Sequence, residues 1–394
     1  MKIAVISEWF SAGVGYAENF FPKALGHLGH EVHLLTSDMQ IYATSPDYDK
    51  VYRARLGEKR VGQGVWREEG FTLHRLEGRT GRLGIHIPQL GDELARLSPD
   101  VVYCFEIACP TTVAAAALRG RLGYSMFCES RLHSSIRRPL AGLISNAAWT
   151  LRVWRLGVQT VIDNVDTFYP IAPDVLRNIT QYLGVPKERC RLSSLAVETD
   201  MFFPSNDLEE RLKLRTRLGL CATDLACIYT GRLTPEKGPL VMAEAVHALQ
   251  SRGFDHVRGV FVGEGDGDYV AKIAACKGCV VHPFVAPAEL ASFYRGADIA
   301  VWPLQESTSQ LDAMACGLPL VVNDTVEDPV RLGDVGLTFR RNDVEHLASR
   351  ISKLEDPYVR AAMGVRAAAR IAQTYSWDAL ARRRTEDFAR TIAA

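Results

Sequence analysis

The sequence predicts an α/β protein made of two doubly wound, Rossmann-like domains. Three observations carry this prediction. The chain has 394 residues, too many for one ordinary core when domains cluster at roughly 100 to 200 residues. Short apolar runs alternate with helix-like segments along most of its length, the pattern of a parallel sheet covered on both faces. The alternation stops at the turn-like Phe203-Pro-Ser-Asn206 and then begins again. The predicted boundaries are therefore 1–204 for the first domain, 205–376 for the second, and 377–394 for a closing helix that packs back on the first domain.

Taken in order, residues 2–7 (KIAVIS) read as a strand, 16–28 as a helix and 31–36 as a second strand, together a βαβ unit. Residues 41–82 are less regular and rich in charge, so a loop or insertion is predicted there. Four further apolar runs, 101–105, 124–128, 160–162 and 167–170, read as strands with helices between them. After residue 206 a charged helix is predicted over 209–218. Strands follow at 225–230, 258–262, 279–281, 299–302 and 319–322, separated by helices at 239–253, 269–275, 287–296 and 309–315. Paired domains of this kind bind ligands in the cleft at the carboxyl ends of their sheets.

Composition excludes several classes. Apolar residues make up 47% and charged residues 23%, the balance of a globular chain rather than a disordered one. With 46 Lys+Arg against 46 Asp+Glu, the molecule as a whole has no field to attract nucleic acid, so any anion chemistry must be local. Glu8 and Trp9 stand where a signal peptide needs an apolar run and a cleavage site, and no window approaches 18 uninterrupted apolar residues. Nine scattered cysteines suit reduced side chains. Together these features predict a cytoplasmic protein. Cys276 and Cys279 form a CxxC without a second pair at zinc spacing, and the buried-thiol reading outweighs a metal or redox role.

Three local patterns carry chemistry. In Tyr229-Thr-Gly-Arg-Leu-Thr-Pro-Glu-Lys-Gly238 a strand end leads into two cations before a helix. Arg232 offers a planar fork and Lys237 a compact point charge, a pair suited to a diphosphate; the plain alternative is a solvated loop. In Phe261-Val-Gly-Glu-Gly-Asp-Gly267, glycines after a strand let the backbone approach a flat ligand, or simply make a turn. In residues 301–319 a strand runs into Ser307, Thr308 and Ser309, which can cap a helix whose exposed N–H groups attract an anion. Asp312, one turn inside, is placed to accept hydrogen bonds from vicinal hydroxyls, and Glu306 stands before the cap. Read structurally, the hydroxyls merely cap and Asp312 merely favours the helix dipole.

In this order, with Val281-His-Pro-Phe284 between them, the three patterns resemble the retaining glycosyltransferases of family 4, which have the GT-B fold. The resemblance extends to Ser11-Ala-Gly-Val-Gly-Tyr16, Ala196-Val-Glu-Thr-Asp-Met-Phe202, Asp312-Ala-Met-Ala-Cys-Gly-Leu-Pro319 and Tyr375-Ser-Trp377, nearly the whole chain. It implies a nucleotide diphosphate-sugar donor bound mainly by the second domain, a hydroxyl acceptor bound mainly by the first, and neither metal nor cofactor. By position it implies Arg232 and Lys237 on the leaving diphosphate, with backbone amides of Gly13 and Gly15 touching it from the other domain. Asp312 takes the ribose, Pro283 and Phe284 lie beside the base, Gly263 and Gly265 shape the same pocket, and Glu306 contacts the sugar. Products in this setting are a cell-surface polysaccharide, a glycolipid or a small glycoside.

The sequence departs from the family at three places. The family's two glutamates are separated by seven residues, whereas Glu306 and Asp312 are separated by five and the second is shortened. An Asn-Gly before the hinge appears as Leu195-Ala196. The family's first-domain His has no clean counterpart; Phe127-Cys-Glu-Ser-Arg131 occupies its place, with His133 beyond it. Glu129, Arg131, His133 and Glu106 are therefore the acceptor-side candidates, against a structural role for the group.

Between Ser130 and Ile162 the chain carries Arg131, Arg137, Arg138, Arg152 and Arg155 and no acid before Asp163. Apolar residues recur there at helical spacing, so 137–156 reads either as a basic amphipathic helix on an anionic membrane, which would suit a lipid-linked acceptor and a place at the inner membrane face, or as a helix packed on the sheet with solvated arginines. Two rival functions remain. A dinucleotide-dependent oxidoreductase is prompted by Gly13, Gly15 and Asp38, but its fingerprint opens directly after the strand and has a third small residue where Glu18 stands. A non-catalytic two-domain sugar- or nucleotide-binding protein would need no paired phosphate cations.

Overall fold

The structure, a computed structural model, describes residues 1–81, 84–132, 157–193, 196–304, 307–326 and 332–393. It divides into two compact units, Met1–Leu195 with Leu380–Ala394, and Ala196–Ala379. The division falls before residue 204 because the intervening residues are held by the second unit. There the Val197 N–H donates to the Tyr375 carbonyl at 2.7 Å, and Phe202 is buried with its ring 6.0 Å from that of Tyr294.

The first unit is a seven-stranded sheet in the order β3-β4-β2-β1-β7-β8-β9. Its strands are β1 (Lys2–Ile6), β2 (Glu31–Ser37), β3 (Gly64–Glu68), β4 (Phe71–Leu76), β7 (Val101–Phe105), β8 (Ser125–Ser130) and β9 (Thr167–Pro170), and all pairings are parallel except β3 with β4. A separate antiparallel pair joins β5 (Arg79–Gly81) and β6 (Gly84–His86). The chain winds outward from β1 in one direction and from β7 in the other, so the switch point lies between them, where an open α/β sheet receives ligands.

Two expectations fail here. The segment 41–82 is not simply an insertion, since β4 pairs with β2 from His33↔Thr72 to Ser37↔Leu76 inside the main sheet. Its polar residues are absorbed by tertiary partners: the His74 ring bonds His33 at 2.9 Å, and Arg75 donates to the Phe10 carbonyl at 3.0 Å. Thr160–Ile162 is not a strand but part of helix Val158–Asn164. Val158, Val161 and Ile162 are buried, and that spacing is the face of a helix, not the alternation of a strand.

The second unit is an all-parallel six-stranded sheet, β12-β11-β10-β13-β14-β15. Its strands are β10 (Leu225–Thr230), β11 (Val257–Val262), β12 (Cys279–His282), β13 (Ile299–Trp302), β14 (Leu320–Asn323) and β15 (Gly336–Phe339). All six residues of β10 are buried, as expected for a strand covered on both faces. Register places Thr230 opposite Val262 and Val262 opposite His282, so three loops leave the sheet at one level.

The final helix, Trp377–Ile392, lies in the first unit from Leu380 onward. Phe388 packs its ring 4.5 Å from that of Phe127, the Tyr169 hydroxyl donates to Asp387 at 2.8 Å, and the Arg384 guanidinium sits 3.4 Å from the Tyr169 ring centre.

Candidate functional site

At the carboxyl ends of β10 and β11 the loops pack directly on one another. The Gly231 N–H donates to the Val262 carbonyl at 3.0 Å, the Leu233 N–H to Glu264 at 2.8 Å, and the Gly263 N–H to His282 at 3.0 Å. A Cβ on Gly263 would collide with the Gly231 carbonyl, and one on Gly265 with that of Leu233. These glycines are therefore required by loop-on-loop packing, a reason that the sequence pattern did not reveal. The Tyr229 hydroxyl donates to the Arg232 carbonyl at 3.0 Å and holds the next turn.

This packing leaves a cavity of about 280 Å³ bounded by Thr230, Arg232, Gly263, Glu264, Phe284 and Ser309, among others. It gathers residues from all three sequence patterns and from the segment after β12. Thr230 and Glu264 stand inside the first two patterns without a role assigned from sequence, and Val285 and Leu290 also line the cavity, with adjacency to Phe284 their only signal. Phe284 is 57% exposed, and Pro283 beside it is exposed.

Arg232 is exposed and Lys237 half-buried, and among the described residues neither has a carboxylate within ion-pair distance. Burial, then the neighbouring Arg232 charge, holds the Lys237 ammonium below its usual pKa. An anion placed between the two cations would offset both effects by favouring the charged form. Lys237 precedes Gly238, whose φ of 68° starts helix Pro239–Ser251. Helix Ser309–Ala315 follows β13. Its Thr308 makes no side-chain capping bond; instead Ser307 Oγ accepts from the Ser309 N–H at 3.3 Å. Burial lifts the Asp312 carboxyl to about 7, and no hydrogen bond to that carboxyl is found among the described residues. It can accept from ligand hydroxyls once ionised. Glu306 lies outside the described residues.

In the first unit, strand register brings Phe105 opposite Glu129 and Glu129 opposite Tyr169. Arg131 donates its backbone N–H to Glu106 at 2.9 Å, Nε to Glu129 at 2.7 Å and Nη1 to Glu18 at 3.0 Å, with its guanidinium 4.9 Å from the Phe105 ring centre. Burial opposes the charge of Arg131, yet Glu18 and then Glu129 keep its pKa above the usual arginine value. Glu106 has a φ of 93°, a costly conformation for a side chain with a Cβ. Its carboxylate accepts from the Ile107 N–H at 2.7 Å and from Ser130 Oγ at 3.1 Å, and burial raises its pKa. The Tyr103 hydroxyl donates to Glu129 at 3.2 Å. Burial likewise lifts nearby Glu8 to about 6.

The structure thus joins Glu106, Glu129 and Arg131 and adds Glu18, Glu8 and Tyr103. In the sequence Glu18 is only a break in a dinucleotide fingerprint, and nothing local marks it as a partner of Arg131. His133 and the segment 137–156 lie outside the described residues. Gly13 and Gly15 hold φ of 71° and 81° in the loop after β1; nothing lies within 4 Å of where a Cβ on Gly13 would stand, so its backbone angle is what calls for glycine. Asp38 is occupied by Arg60 at 2.6 Å, Gln63 at 3.0 Å and the Gly78 N–H at 3.0 Å, which removes it as a ribose ligand for a dinucleotide. Burial raises the Cys279 thiol to about 12, against a reactive CxxC. Among the described residues no group of three or more His, Cys, Asp or Glu is placed to hold a metal ion, and no helix is long and apolar enough to cross a membrane.

Two family models match the chain, "Glycosyl transferase 4-like domain" over residues 22–195 and "Glycosyl transferases group 1" over residues 224–356. The D-inositol 3-phosphate glycosyltransferase of Acidothermus cellulolyticus is 29% identical over 220 residues, 51% of this chain and 48% of that protein. That of Thermobispora bispora is 26% identical over 255 residues, 60% of this chain and 59% of that protein. The chain therefore spans about half to three-fifths of the length of these curated relatives. Among solved structures, sucrose-phosphate synthase from Thermosynechococcus elongatus superposes with a TM-score of 0.66 at 17% identity, covering 100% of this chain and 99% of its own. Anabaena HepE in complex with UDP gives 0.64 at 16% identity, covering 99% of this chain and 100% of its own.

Proposed function

We propose a reaction for a chain that belongs to the group 1 glycosyltransferases and has their GT-B fold: metal-independent transfer of a sugar, with retention, from a nucleotide diphosphate-sugar to a hydroxyl acceptor. The observation that carries it is the second-unit cavity, where Arg232, Gly263, Phe284 and Ser309 converge, with Lys237 close enough to Arg232 to feel its charge and neither cation in an ion pair among the described residues. A diphosphate supplies the missing counter-charge. Arg232 grips its oxygens with a planar fork and Lys237 adds a point charge. Because negative charge builds on the departing nucleoside diphosphate, fixed cations aimed there lower the barrier to its departure. Asp312, in its ionised form, takes the ribose hydroxyls, and Pro283 and Phe284 flank the base.

The Glu106–Glu129–Arg131 cluster is the acceptor side of this reading. Its acidity suits hydrogen bonding to hydroxyl groups, and carboxylates fixed by tertiary contacts present oriented acceptors. Curated relatives that are D-inositol 3-phosphate glycosyltransferases favour a small polyol acceptor and hence a small glycoside over a polymer. The UDP complex of HepE makes a uridine donor the first to test. Work in the cytoplasm completes the reading.

The protein should be stabilised by one class of UDP-, GDP- or ADP-sugar in a thermal-shift panel, since a ligand that binds only the folded state raises its apparent stability. That donor should then release its nucleoside diphosphate faster when a polyol or sugar acceptor is added. No nucleotide effect across the panel would shift the reading to a non-catalytic sugar-binding protein.

A further inference from the structure

The second unit has another cavity, of about 380 Å³, at the opposite ends of its strands. Asp298 and Pro319 line it; each immediately precedes a strand, β13 and β14, whereas the cavity described above lies where strands end. Three arginines line it, Arg211, Arg295 and Arg360. Arg211 pairs with Asp298 at 2.7 Å, and Arg295 pairs with Glu210 at 2.7 Å. Arg360 spends one nitrogen on the Leu354 and Glu355 carbonyls, at 2.6 and 2.7 Å, and has no carboxylate within ion-pair distance among the described residues. Buried Arg215, behind the cavity, shares Asp298 at 2.5 Å and also feels Asp224, so four guanidiniums meet three carboxylates. The surplus is positive, and guanidinium matches phosphate oxygens in a bidentate way.

The same cavity touches the element that serves the donor end. Helix Ser309–Ala315 begins with Ser309, which lines the first cavity. It runs directly into Cys316-Gly-Leu-Pro319, which lines the second, about 10 Å away at the rise of an α-helix. Helix Pro357–Arg370, which carries Arg360, rests directly on that turn: a Cβ on Gly364 would collide with the Gly317 carbonyl. A ligand drawing Arg360 toward Arg211 and Arg295 therefore bears on the helix that holds Asp312.

We propose that this second cavity is a regulatory site for a phosphate monoester, coupled to nucleotide binding through helix Ser309–Ala315. The coupling rests on the donor reading given above; the binding does not. The test is titration calorimetry on the full chain with glucose 6-phosphate, inorganic phosphate and UDP, using wild type, Lys237→Ala, Arg360→Ala and Ala361→Glu. Ala361 also lines the cavity and is exposed, so its substitution adds a negative charge without removing the bonds that Arg360 makes.

Glucose 6-phosphate is expected to bind wild type and Lys237→Ala equally, and at least about tenfold more weakly to both cavity variants. It should change the Kd for UDP by about fivefold or more, and UDP should change its Kd by the same factor, as linkage requires. The site is overturned by no saturable binding of either phosphate probe, by binding that both cavity variants leave unchanged, or by loss of binding in Lys237→Ala. Binding without mutual influence overturns the coupling. Sugar phosphate binding in a chain that ignores every nucleotide overturns the donor reading while leaving this site standing.

Discussion

The carboxyl ends of the two sheets carry charge in opposite ways. In the first unit Arg131 is held by Glu18 and Glu129, while Glu106 takes its backbone N–H; the side chains of Glu18 and Glu129 are 7% and 2% exposed. In the second unit Arg232 and Lys237 stand without such partners. The first arrangement is closed, because carboxylates buried together demand a cation and a fixed geometry. The second is open, because Glu236 acts on both cations without forming an ion pair with either. The difference predicts that breaking the first cluster harms folding in addition to any acceptor contact it makes, whereas breaking the second harms turnover alone.

The largest effect expected from this contrast is in the first unit. Arg131→Ala leaves Glu18 and Glu129 buried without their cation and should cost about 3–5 kcal/mol of stability, read by denaturant unfolding, while nucleotide affinity of the folded fraction is unchanged. A loss under about 1 kcal/mol would show that the cluster is not a closed network. Lys237→Ala should do the reverse, lowering kcat roughly 10²- to 10³-fold with an unaltered Tm. If its Tm falls as far as that of Arg131→Ala, the two regions do not differ in kind.

Two smaller effects sharpen the open side. Phe284→Ala should weaken nucleotide binding roughly tenfold, the scale of an aromatic ring lost from a base, without changing stability. Asp312→Asn gives the smallest effect, and it depends on pH. The folded-state pKa of about 7 exceeds that of an unfolded carboxylate, so the native state holds more protons between about pH 4 and 7. Stability is therefore lost as pH rises through that window. The variant should raise Tm at pH 8 and not at pH 4. Its nucleotide affinity should be a few-fold weaker than wild type at pH 8 and indistinguishable at pH 5, where Asp312 itself is protonated; a pH-independent difference would remove the ionised carboxylate from the site.

Much of the second unit was legible. Residues 225–230, 287–296, 299–302 and 309–315 have in the structure the bounds read from the sequence, because each is an apolar run or amphipathic stretch closed by Gly, Pro or a hydroxyl residue. The first unit was harder. β4 contains Thr72, His74 and Arg75, which read as surface; contacts to His33, Glu93 and Phe10 explain the burial of His74 and Arg75. Residues 160–162 read as a strand because a window of three residues cannot distinguish a period of 2 from one of 3.6. The second cavity had no signal at all, since its arginines are spread from 211 to 360 and meet only across packed helices.

The sequence by itself determined the alternation of strands and helices, the positions of the two strand-end cations and the glycines that follow β11, because these depend on residues within a few positions of one another. Only the tertiary structure decided why Gly263 and Gly265 must be glycine, and that Glu18 and Arg131, 113 residues apart, form a pair while Arg232 and Lys237 do not. Charge compensation is a short-range interaction in space between groups that are distant along the chain. Which cations are neutralised and which stay available is therefore settled by packing, and that distinction is what separates the closed cluster from the open site.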